Sequence, residues 1–82
     1  MKSLNKEIIE KELGKEIKYA ESLDYTIDIE IDGSMFDLII KSQDNMISQN
    51  IIKDFTNIIK EKLKMRGLLY IPLEKGIRLT FI

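Results

Sequence analysis

The 82-residue sequence contains no cysteine, histidine, tryptophan or valine, a single proline and only 7% aromatic residues. Without cysteine there is neither a disulfide framework nor a thiolate metal site, and the redox compartment cannot be read from the chain. Without histidine as well, the commonest general base and the commonest nucleophile and transition-metal ligands are gone. No nucleophile elbow and no glycine-rich phosphate loop stands in for them. The expectation is a non-catalytic protein with no cofactor and no metal. No apolar run approaches the length needed to span a bilayer, and Met1-Lys2-Ser3-Leu4-Asn5-Lys6-Glu7 lacks a continuous apolar core of the secretory kind. The expected location is therefore cytoplasmic.

What is present is an ordinary globular balance, 44% hydrophobic and 33% charged, which predicts one folded domain over residues 1–82. The net charge of −1 conceals an asymmetry: residues 1–41 hold ten acids and six bases, residues 42–82 four acids and seven bases. Strong attraction to nucleic acid or anionic lipid is not expected from such a sum. Isoleucine and lysine dominate while arginine is scarce, the bias of an AT-rich genome.

Apolar residues Leu4, Ile8, Ile9, Leu13, Ile17, Ala20 and Leu23 recur at helical spacing, so a helix is expected from Ser3 to about Leu23. Gly14 weakens its middle by roughly 1 kcal/mol relative to alanine, which allows a kink or break there. The period then changes to two: Tyr25, Ile27, Ile29 and Ile31 alternate with Asp24, Thr26, Asp28, Glu30 and Asp32. With Asp32-Gly33 as a two-residue hairpin turn, Phe36, Leu38 and Ile40 return opposite Ile29, Ile27 and Tyr25, and Asp28 faces Asp37. A second helix capped by Asp44 or Ser48 runs to Arg66, with Gly67 suited to its C-terminal cap.

Leu68 to Ile82 reads as a second hairpin around the three-residue loop Glu74-Lys75-Gly76, which would pair Leu73 with Ile77, Ile71 with Leu79 and Leu69 with Phe81. Pro72 marks its strand as an edge, because proline cannot donate to a ladder. The expected fold class is α+β, in the order αββαββ, with two helices packed on one face of a four-stranded antiparallel sheet.

Asp28 to Gly33 superficially matches the first half of a calcium loop, but position twelve falls on Ile39, and Ile29 and Ile31 belong to a strand pattern. The more informative feature is an outward row of Asp28, Glu30, Asp32 and Asp37. Like charges facing across strands destabilise by up to about 1 kcal/mol, so folding alone does not recommend the arrangement. Alternate strand positions recur every ~6.7 Å, comparable to neighbouring phosphates of a nucleic-acid strand. The row can therefore serve as a recognition surface for a basic partner, or simply as a solvated face that keeps the sheet soluble. Met35, Ile39, Leu68, Tyr70 and Ile82 share its parity, and Met35, Ile39 and Tyr70 are the expected apolar contacts beside the acids.

In size, biased composition, and the segment from Glu16-Ile17-Lys18 through Asp24-Tyr25-Thr26-Ile27 into an acidic hairpin, the chain resembles small acidic proteins of phages and mobile elements that inhibit host nucleic-acid-binding machinery, among them anti-CRISPR proteins. The resemblance implies a non-catalytic inhibitor docking on a basic nucleic-acid-binding host protein. Two other readings stay open: a scaffold protein forming a homodimer through the sheet face, and a nucleic-acid-binding module using Lys60, Lys62, Lys64 and Arg66 at the basic end of the second helix.

Overall fold

The computed structural model describes residues 5–43, 47–65 and 67–82. Ser3, the expected start of the first helix, the proposed cap Asp44, and Arg66 lie outside these residues. The observed order is ααββαββ, not αββαββ. What periodicity shows as one helix is two, α1 (Lys6–Glu12) and α2 (Gly14–Ser22). Asn5 caps α1, its side-chain oxygen accepting from the Ile8 N–H at 2.9 Å. The break falls at Leu13 (φ −102°, ψ 12°), immediately before Gly14. It is shallow, because Leu13 still donates to the Ile9 carbonyl at 3.0 Å and accepts from the Ile17 N–H at 2.9 Å. Ile9, Leu13 and Ala20 are thereby all fully buried.

The first hairpin consists of β1 (Tyr25–Asp32) and β2 (Met35–Ser42). Its loop is Gly33-Ser34, one residue later than expected. Among the residues here only Gly33 takes positive φ, at 64°, which suits a type II′ turn with glycine in the first central position. The register accordingly pairs Ile31 with Phe36, Ile29 with Leu38 and Ile27 with Ile40, and Tyr25 faces Ser42. This corrects the expected pairing by two residues. A shift of two leaves every side chain on its expected face, so the apolar set of both strands still points to the core.

After β2, Ser48 caps α3 (Gln49–Lys62), accepting from the Asn50 N–H at 3.2 Å. The Tyr25 hydroxyl accepts from the Ser48 N–H at 3.0 Å and ties this helix start to the start of β1. The helix stops before Gly67. Leu63 is its C-cap and Lys64 takes the left-handed conformation at φ 56°, while Leu63 and Met65 lean into the core. Gly67 instead exchanges two backbone hydrogen bonds of 3.1 Å with Ile82, extending the second hairpin by one pair.

That hairpin, β3 (Leu68–Leu73) and β4 (Gly76–Phe81), departs from expectation in a way that matters. Its loop is the two residues Glu74-Lys75, neither with positive φ. Leu68 pairs with Phe81, Tyr70 with Leu79, and Ile71 with Arg78. Gly76 is not a turn residue needing the left-handed region. It is the first residue of β4, where a Cβ would lie 2.0 Å from the Ile40 carbonyl oxygen. A slip of one residue inverts β3: Leu68, Tyr70 and Pro72 take the helix side, and Leu69, Ile71 and Leu73 the opposite side.

The sheet order is β1-β2-β4-β3, with β2 and β4 central and β3 at an edge, as Pro72 implies. All three helices lie over one face. Phe36 and Phe81, a direct pair between the two central strands, stack within the buried core that also holds Phe55 and Ile59 of α3. Among the described residues no helix is long and apolar enough to cross a membrane.

Candidate recognition face

Alternation leaves one sheet face free of helices. Two rows across it follow from the registers: Asp28, Ile39, Arg78, Ile71 and Glu30, Asp37, Thr80, Leu69, each running from β1 to β3. Asp32 and Met35 form a third pair at the loop end. The face is thus graded, acidic along β1, mixed along β2 and β4, and apolar along β3.

The register shift removes the expected apposition of Asp28 and Asp37. Asp28 faces Ile39, and the like-charged pair is Glu30 with Asp37. Arg78 resolves it. Its guanidinium donates to Asp37 and lies 3.7 Å from Glu30, so a cation on β4 reaches one acid on the adjacent β2 and one on β1 beyond it. Part of the acid row therefore has a structural reason. Among the described residues Asp28 and Asp32 make no ion pair and are exposed, and Glu30 is exposed with only the longer of Arg78's two contacts.

Arg78→Gln leaves Glu30 opposite Asp37 with no countercharge. A partly exposed pair of this kind is worth about 0.5–1 kcal/mol. The expected loss of that size at low salt should shrink as added salt screens the repulsion, which chemical denaturation at two ionic strengths will measure.

The expected apolar contacts divide. Met35 is on the open face and 36% exposed. Ile39 is on the same face but only 6% exposed, closed in on a central strand between Asp28 and Arg78, and so offers little to a partner. Tyr70 and Leu68 are on the other face altogether. Tyr70, 55% exposed, flanks a cleft with Gln49, Ile52, Lys53 and Thr56 of α3.

Leu69 and Ile71 replace them on the open face, 54% and 42% exposed, beside Ile82. The run Leu68-Leu69-Tyr70-Ile71-Pro72-Leu73 does not alternate, so nothing within it reveals which side faces out; only the register decides. Arg78 could have been found, since Ile77, Leu79 and Phe81 alternate with Arg78 and Thr80.

The basic end of α3 is a separate feature. Lys60 and Lys62 are exposed in its last turn, where the helix dipole favours cations. Lys64 follows in the left-handed cap position and is also exposed.

No protein-family model matches the chain, and neither a curated protein nor a solved structure does.

Proposed function

We propose that the protein is a non-catalytic binding module whose open sheet face docks on a basic surface of a partner protein, as a phage-type inhibitor of a nucleic-acid-binding host protein would. The observation that carries this reading is the exposed acid edge of Asp28, Glu30 and Asp32, largely uncompensated and continuous with accessible Met35. A charged flank beside an apolar contact suits a protein interface, the acids supplying steering and the apolar area supplying burial. Asp37 belongs to the field but is anchored to Arg78.

The test compares the parent with Asp28→Lys/Glu30→Lys/Asp32→Lys as baits in a bacterial lysate. Asp37 is left in place, because a lysine there would face Arg78. The parent should retain a nucleic-acid-binding protein in a salt-sensitive manner, and the triple variant, folded by circular dichroism, should not. Equal retention by both sinks the proposal.

One observation favours a second reading, self-association. Leu69, Ile71 and Ile82 present three exposed large apolar side chains along the β3 half of the open face. Under this reading Leu69→Lys/Ile71→Lys converts a dimer to a monomer in sedimentation equilibrium. A parent that is monomeric at millimolar concentration removes it.

A further inference from the structure

The two edges of the sheet differ in what their backbones offer. In an antiparallel ladder, residues alternate between pairs that exchange hydrogen bonds and pairs whose N–H and C=O groups point away. The Ser42 N–H donates to Lys75 at 2.8 Å, toward β4, so Tyr25 and Ser42 form a pair of the second kind. By alternation Ile27, Ile29 and Ile31 do the same. The N–H and C=O groups of Tyr25, Ile27, Ile29 and Ile31 therefore line the free edge of β1, and among the described residues no backbone partner meets them.

On β3, the exchange between Gly67 and Ile82 sets the alternation, and it places Leu68, Tyr70 and Pro72 outward. Pro72 removes one donor there. Natural edges are commonly blunted by proline, lysine or a bulge. β1 is eight residues long and has neither proline nor lysine.

The flanks of the β1 edge select what can join it. On the helix side, α1 and α2 border a cleft in which Gly14, Ile17 and Ile27 are half-buried, while the exposed side chains of Lys6, Glu10, Lys18 and Glu21, two cations and two anions, line the rest. On the open side stand Asp28, Glu30 and Asp32. A second copy of β1 added antiparallel would bring acids against acids, which disfavours self-pairing. A strand with cations on that side and apolar residues on the other meets both flanks.

We propose that the free edge of β1 takes up an extended antiparallel segment of the partner protein in which lysine or arginine alternates with apolar residues, adding a fifth strand to the sheet. This rests on the docking function proposed above and assigns its partner chemistry. The cations lie opposite Asp28, Glu30 and Asp32, and the apolar side chains enter the cleft over Ile17 and Ile27. In the antiparallel register the segment's apolar residues face Ile27, Ile29 and Ile31 and direct their own N–H groups at β1. Its cationic residues direct theirs away.

That difference supplies the test, on the full chain without mutation. Three fluorescently labelled octapeptides alternating lysine and valine are titrated by anisotropy: one unmodified, one N-methylated at every valine, one N-methylated at every lysine. The unmodified and lysine-methylated peptides should bind alike, and the valine-methylated one at least about tenfold more weakly, since several backbone hydrogen bonds are lost together. Amide exchange of Ile27, Ile29 and Ile31 should slow with the unmodified peptide.

Equal binding of both methylated peptides, protection on β3 instead of β1, or no binding of any peptide overturns strand addition. Salt-sensitive binding that ignores methylation removes strand addition while retaining the acidic face. Undiminished binding to Asp28→Lys/Glu30→Lys/Asp32→Lys overturns the assigned charge chemistry and the acidic-face reading with it, even where the methylation pattern holds.

Discussion

Gly76→Ala lowers the stability of the protein by at least about 3 kcal/mol, the upper part of the range for overpacked substitutions. The added Cβ would lie 2.0 Å from the Ile40 carbonyl oxygen and 2.8 Å from the Lys41 Cα. Both are backbone atoms of the central strand β2, so no rotamer change relieves the clash. β4 must withdraw from β2 at its first pair, Lys41 with Gly76, and the pairing beyond it weakens. For a domain of this size each kcal/mol corresponds to roughly 4–8 °C, so thermal unfolding should fall by about 12 °C or more. The conformational freedom of glycine is not at issue, because Gly76 does not take positive φ. An alanine variant as stable as the parent would show that β2 and β4 do not approach this closely.

Phe81→Ala should cost a similar amount, about 3–5 kcal/mol, through lost burial and the cavity left behind. Phe81 is fully buried, directly opposite Phe36, with ring centroids 5.0 Å apart and planes inclined by 20°. Phe36→Ala should fall in the same range. The double variant should lose less than both single losses together, by about 0.5–1.5 kcal/mol, the coupling of an aromatic pair. Denaturant titration of the four proteins closes the cycle, and strictly additive losses would contradict the stacked contact. Because these rings belong to the helix-covered face, both substitutions act on stability and are poor probes of docking.

The first hairpin was legible because two independent signals agree within it. Strict alternation from Tyr25 to Ile31 settles which side is buried, and a nearby glycine locates the turn. Moving the loop from Asp32-Gly33 to Gly33-Ser34 changed the partners and preserved the faces, so the acid row remained where alternation puts it. What failed was the finer inference that Asp28 opposes Asp37, since that depends on register and not on parity.

In the second hairpin the two signals are missing. β3 is apolar at every position, and Gly76 imitates a turn glycine while serving a close strand approach. A loop of two residues in place of three reversed β3, carrying Tyr70 to the helix side and bringing Leu69 and Ile71 onto the candidate face. The alternation of β4 already turns Arg78 outward, but its position beside Glu30 and Asp37 requires the β2–β4 pairing, and Arg78 and Asp37 stand 41 residues apart in sequence.

Periodicity and turn chemistry in the sequence alone determined an α+β chain with a well-patterned acidic hairpin, an amphipathic helix capped by Asp44 or Ser48 and an edge strand at Pro72. The tertiary structure decided the strand order β1-β2-β4-β3, the neutralisation of Asp37 by Arg78, the outward face of β3, and the exposure of the β1 backbone edge. The physical reason is range. A side chain's face follows from its own neighbours when they alternate, whereas register and strand order are chosen by packing among segments that meet only in the folded molecule.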